Sequence, residues 1–94
     1  MGEERSFEQG DILRHFKRET VDASTTRYLY KVVGVAQHSE TKEKLMVYQA
    51  LYDECGLYVR PLEMFMSEVD HAKYPDIRQR WRFDYATPED RALV

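Results

Sequence analysis

His38, Ser39, Glu40 and Thr41 stand side by side in "AQHSETKEKLMVYQALY", the residue types of a hydrolytic triad compressed into adjacent positions. Triad chemistry needs a hydroxyl, an imidazole and a carboxylate pointed at one another. Neighbours on extended chain point to opposite sides, so His38 and Ser39 cannot simply meet. Nothing around Ser39 resembles a nucleophile elbow. The plainer expectation is a hairpin tip in which Ser39, Glu40 and Thr41 hydrogen-bond to the backbone of the turn. A binding role for the tetrad stays open beside it.

Arg60, in "YVRP", is the second chemical candidate. Alternation with Val59 would put it on one face with Tyr58. Its guanidinium fork can then pair with Glu40 or Glu63, or hold a carboxylate or phosphate from a ligand. Tyr48 offers a hydroxyl that is either a ligand contact or a rim group. A metal site would have to draw on His15, His38 and His71, with Cys55 or an acid, and none lies at the close spacings of zinc motifs. No metal and no cofactor is expected. The glycines are scattered singly, which leaves no phosphate-cradling loop.

These side chains must be positioned by short strands. "ILRHFK" alternates and predicts a first strand at about 11–17, and the polar "RETVDASTT" after it reads as a long loop. "RYLYKVVGVAQH" is β-branched and aromatic, which predicts a long strand over 27–38 with Gly34 marking a bulge or bend. "SETKE" links it as a hairpin to "KLMVYQALY" at 44–52, and "LYVRP" is a further strand ended by Pro61. In "LEMFMSEV" the period changes: Leu62, Phe65, Met66 and Val69 fall on one face of a short helix. "RFDYA" closes the series. In the tail, Thr87 is the expected N-cap with Pro88 at the first helical position.

The whole reads as a mainly β fold: a small, mostly antiparallel barrel of about five strands with one short helix. Its expected organisation is a flexible lead-in over 1–9, one domain over 10–86 and a tail over 87–94. In the third strand Leu45, Val47 and Leu51 face one way, and Met46, Tyr48, Ala50 and Tyr52 face the other. Both faces are apolar, so one is covered by the helix and tail or stays open for a ligand or a second subunit.

Composition sets the outer bounds. Ninety-four residues, 43% hydrophobic and 33% charged, suit one soluble globular domain. The net charge of −3 gives no electrostatic reason to bind nucleic acid or an anionic membrane. Two cationic runs, "RHFKR" (Arg14 to Arg18) and "RQRWR" (Arg78 to Arg82), allow a local basic face, although a solvated face is the ordinary fate of such runs. The single Cys55 excludes an intrachain disulfide and fits a reducing compartment, so a cytoplasmic setting is expected.

"GDILRHFK", "VAQHSET", "LMVYQALY", "LYVRPLEMF" and "RWRF", in this order, resemble the bacterial family known as domain of unknown function 1653. The resemblance runs from about Gly10 to Phe83 and implies a compact SH3-like β-barrel. It carries the family pattern onto His15, Lys17, His38, Ser39, Glu40, Thr41, Tyr48, Leu51, Tyr52, Arg60, Pro61 and Phe65. Two features depart from it: "RETVDASTT" lengthens a connection that the family makes quickly, and Tyr58 stands where the family tends to have tryptophan. The family implies no reaction.

Three functions therefore stay open. The preferred one is a non-catalytic binding module for a small polar or anionic molecule, or for a partner protein. In it Arg60 and Lys17 hold negative charge, His38 and Tyr48 give directional hydrogen bonds, and Phe65 walls the site. The alternatives are an enzyme acting on a small metabolite or nucleotide derivative, with His38 as general base oriented by Glu40, and a structural or oligomerising domain, a homodimer for example, with its second apolar face as the interface. The first two require His38, Tyr48 and Arg60 to share one pocket.

Overall fold

A computed structural model of the protein describes residues 5–94. Five strands, β1 (Ile12–His15), β2 (Leu29–Gln37), β3 (Lys44–Ala50), β4 (Leu57–Pro61) and β5 (Phe83–Tyr85), form one antiparallel sheet in the order β4-β3-β2-β1-β5. A 3-10 helix over Phe16–Thr20 follows β1, and the single-turn helices α1 (Leu62–Phe65) and α2 (Pro88–Arg91) follow β4 and β5.

The fold is mainly β, but the sheet is not closed into a barrel. β4 and β5 are its two edges, and no ladder joins them. The reason lies in the chain after β4. Pro61 has no amide to extend a ladder, and the backbone turns at once into α1. The gap is bridged one step further on, where Val69 donates to the Arg80 carbonyl (2.8 Å) and Arg82 donates to the Ser67 carbonyl (2.9 Å).

The sheet nevertheless curls enough for rings from distant strands to meet. Phe83 of β5 lies 5.4 Å from the Tyr48 ring on β3 and 5.6 Å from the Tyr30 ring on β2, and Phe65 of α1 stacks on it at 4.0 Å. The aromatic face of β3 is thus the core face: Met46, Tyr48 and Ala50 are buried with Leu13, Val32, Phe65 and Phe83. The bulge expected at Gly34 is present as a shift of register between Val32 and Gly34, which adds to the local twist.

Three expectations need correction. The first strand ends at His15 rather than Lys17, because the His15 Nδ1 accepts the Lys17 amide (3.1 Å) and caps a 3-10 helix there. The helix expected over 62–69 stops after one turn at Phe65, where Ser67 Oγ donates to the Met64 carbonyl (2.6 Å) and competes with the next helical bond. Its apolar stripe still packs inward, with Phe65 and Val69 buried. The lead-in is not loose from residue 5 onward, since Phe7 is buried edge-on against Phe65 and Tyr85. Residues 1–4 lie outside the described residues.

The tail is tied down by a capping box. Thr87 Oγ1 accepts the Asp90 amide (3.0 Å) and the Asp90 carboxylate accepts the Thr87 amide (3.1 Å). The same carboxylate meets Arg18, a buried guanidinium at 3% exposure. Arg18 Nε and Nη2 each reach Asp90 Oδ1 at 3.0 Å. Nη1 donates to the carbonyls of Thr25 (2.7 Å) and Arg27 (2.8 Å), and Nη2 to that of Ala23 (3.1 Å). All five N–H groups of the fork are thereby used, and the long loop after the 3-10 helix is wrapped around one cation. Arg14 adds a second contact to Asp90 (3.2 Å), but its Nε is buried without a partner, so it is the weaker support.

Removing Arg18 takes from the buried Asp90 carboxylate its most buried cation, leaving it Arg14 and the Thr87 amide, and strips three loop carbonyls of their shared donor. Arg18→Met is expected to lower unfolding free energy by about 3–5 kcal/mol, and Arg14→Met by clearly less. Urea unfolding of the two variants checks this; equal losses would contradict the ranking.

Candidate functional site: a basic pocket at the seam of the sheet

Where the curled sheet fails to close, a pocket of about 280 Å³ opens. Its lining comes from three places: His15, Phe16 and Lys17 at the end of β1, Arg60 on β4, and Asp70, Lys73, Tyr74 and Arg82 on the connection before β5. β1 and β5 pair His15 with Phe83, which sets Arg82 beside the β1 corner. The curl brings Arg60 across, so that its guanidinium carbon lies 5.8 Å from the centre of the Phe83 ring.

The cations are held in two ways, the arginines by a hydroxyl and the lysines by an aromatic ring. Arg60 Nε donates to the Tyr48 hydroxyl (3.3 Å), so Tyr48, almost wholly buried, orients the arginine. Arg82 Nε donates to Ser67 Oγ (3.3 Å). The ammonium groups of Lys17 and Lys73 lie 5.9 and 5.5 Å from the centre of the Tyr74 ring, which packs on Phe16 at 4.9 Å. The connection carrying Tyr74 is fixed from below, because the Glu19 carboxylate accepts the amides of Arg78 (2.9 Å) and Gln79 (2.7 Å). Among the described residues, none of Lys17, Arg60, Lys73 and Arg82 has a carboxylate within 4.0 Å. Asp70 is the pocket's acid, and its Oδ1 already accepts the amides of Ala72 and Lys73.

His15 reports this field. Burial, followed by the charges of Arg60, Arg82 and Lys17, lowers its pKa to about 3. The ring is neutral at physiological pH, and because Nδ1 accepts the Lys17 amide, the proton sits on Nε2. His15 is therefore a neutral hydrogen-bond donor among cations.

The residues expected to form a site divide in two. His15, Lys17 and Arg60 come together in this pocket, with Tyr48 behind Arg60. Arg60 pairs with neither Glu40 nor Glu63. Phe65 is fully buried in the core and presents no wall to a ligand. His38, Ser39, Glu40 and Thr41 form the tip of the β2–β3 hairpin, away from the pocket. Six residues of strand, roughly 20 Å, separate His38 from the Val32 that pairs with Tyr48. At the tip His38 Nδ1 accepts the amides of Glu40 (3.1 Å) and Thr41 (3.2 Å), while Thr41 Oγ1 accepts that of Glu43 (3.2 Å). His38 meets the amide of Glu40 rather than its carboxylate, so the arrangement required of a general base oriented by Glu40 is not present. No group of three or more His, Cys, Asp and Glu among the described residues is placed to hold a metal ion.

Residues 11–85 match the model of the family described as "Protein of unknown function (DUF1653)". The chain belongs to this family. No curated protein and no solved structure matches it. The matched span of this DUF1653 chain contains every residue that lines the pocket.

Phe16, Asp70, Lys73, Tyr74 and Arg82 escaped the sequence reading of the DUF1653 chain. The signal was present in the two cationic runs, whose ends supply Lys17 and Arg82 to one pocket. No spacing rule relates those runs; the pairing of β1 with β5 does.

His15 gives a signed pH dependence. Its folded pKa lies below the ordinary 6.5, so its contribution to stability is complete above about pH 6.5 and is lost as pH falls toward about 3. Burial raises the Asp90 carboxyl, but the Thr87 amide and Arg18 hold it on balance below its usual 3.8, so its contribution persists until lower pH. Urea unfolding from pH 7 to 4.5 is expected to show falling stability, with a flatter profile in His15→Gln. Parallel profiles would contradict a buried neutral His15.

Proposed function

We propose that this protein is a non-catalytic binding module for a small anionic ligand, held in the pocket at the seam between β4 and β5. The observation that carries the reading is a set of four cations around one concavity, free of carboxylate partners, in a chain whose net charge is −3. Cations crowded together repel one another, and the charges of Arg60, Arg82 and Lys17 add to burial in keeping His15 neutral. An anion in the pocket would relieve it. Arg60 and Lys17 keep the role expected from the sequence. With His38 at the hairpin tip, the site that required His38, Tyr48 and Arg60 in one pocket is abandoned. The binding reading moves to a different site, where His15 is the directional donor and Tyr48 positions Arg60. A cytoplasmic setting belongs to the same reading and suits the free, exposed Cys55.

A second reading, docking of a partner protein or a second copy, is favoured by the outer face of the sheet. There Leu57 and Val59 of edge strand β4 are 65% and 61% exposed, and β3 sets Val47 opposite Val59 and Leu45 opposite Pro61.

A thermal-shift screen of small anions and neutral metabolites on wild type, Arg60→Ala and the hairpin-tip variant Glu40→Gln tests the first reading. Anions are expected to raise the melting temperature of wild type and Glu40→Gln, and to lose that effect in Arg60→Ala. Equal shifts in all three proteins would remove Arg60 from the account. For the second-copy form of the second reading, light scattering would show a mass above the monomer that Val59→Lys abolishes; a monomer at all concentrations would end that form.

A further inference from the structure

The chemical class of the anion follows from the donors, given the binding reading above. Arg60 and Arg82 each commit Nε to a neighbouring hydroxyl, and no other partner among the described residues takes their terminal nitrogens. Each arginine therefore retains a free two-nitrogen edge, the part that grips an oxyanion bidentately. The His15 Nε2 hydrogen and the Lys17 and Lys73 ammonium groups complete the set. Four cations against Asp70 leave the lining at +3.

A carboxylate carries one charge and two oxygens, with about four lone-pair sites. It cannot occupy two guanidinium edges, an imidazole and an ammonium together. A phosphoryl group carries about −1.5 to −2 at neutral pH and presents three strong acceptor oxygens. The pocket's 280 Å³ lies just below the roughly 300–1,000 Å³ of small-molecule sites, which restricts the rest of the ligand to a small organic group. We infer that the pocket takes the phosphate monoester of a small molecule, its phosphoryl oxygens shared among Arg60, Arg82, His15 and Lys17, with Lys73 at the exposed rim.

Methyl phosphate, malonate and acetate distinguish charge from geometry. Calorimetric titration at constant ionic strength is expected to show methyl phosphate binding at least tenfold more tightly than malonate, which matches its charge with planar carboxylates. Acetate should be weaker still. Arg60→Gln and Arg82→Gln should each cost tenfold or more for methyl phosphate, while Glu40→Gln costs nothing. Affinity for methyl phosphate should also fall between pH 7.5 and 5.5, as the ligand passes from dianion to monoanion at its second pKa of about 6. Malonate binding as tightly as methyl phosphate, with the same arginine dependence, would overturn the phosphate assignment and leave the anion site standing. Binding of none of the three, or binding untouched by both arginine variants, would overturn the site itself.

Discussion

The buried guanidinium of Arg18 is the constraint around which this small domain is arranged. Its five donors bind the α2 carboxylate of Asp90 and three carbonyls of the loop after the 3-10 helix. A charge at 3% exposure is tolerable only when its donors are satisfied and its charge is met. The 3-10 helix that carries it therefore has two sides with different duties. Arg18 and Glu19 anchor, one to the C-terminal turn and the other to the Arg78–Gln79 backbone. Phe16 and Lys17, two and one residues before Arg18, line the pocket. The anchored side of a single turn thus fixes the pocket lining on the other.

An incompletely closed sheet supplies the space for that pocket. A continuous ladder between β4 and β5 would bring their backbones to about 4.8 Å and leave no room for a ligand between them. Here Pro61 and α1 divert the chain, and the short pairing of Ser67–Val69 with Arg80–Arg82 spans the gap. Arg60 and Arg82 both line the pocket beside it, with no partner among the described residues on their terminal nitrogens. The domain thus holds a concentrated positive field although its total charge is negative. Such a field is costly without a counter-ion, and a neutral His15 limits that cost.

Much of the fold was legible because its signals are local. Alternation placed the strands, Gly34 marked the bulge, Pro61 ended β4, and Thr87 with Pro88 began α2. The polar tetrad at 38–41 was legible as turn chemistry, although its histidine does more of the capping than its serine. The rest depends on pairs that no periodicity relates. Arg18 and Asp90 lie 72 residues apart, and nothing in "HFKRE" distinguishes the arginine that is buried from those in solvent. Arg60 was recognisable as a cation at a strand end, but its partners Lys73 and Arg82 depend on the curl of the sheet. Phe65 looked like a wall because sequence cannot tell an aromatic residue behind a pocket from one inside it.

The central claim is that anion recognition belongs to the seam and not to the hairpin tip. Titration of isotope-labelled protein with methyl phosphate, followed by resonance shifts of backbone amides and of the His15 imidazole and Arg60 and Arg82 guanidinium groups, tests it most directly. The account predicts saturable shifts centred on residues 15–17, 60, 73–74 and 82, with the His15 Nε2 proton moving downfield and residues 38–41 unchanged. Saturable shifts confined to the hairpin tip, or none at the seam at millimolar ligand, would contradict it.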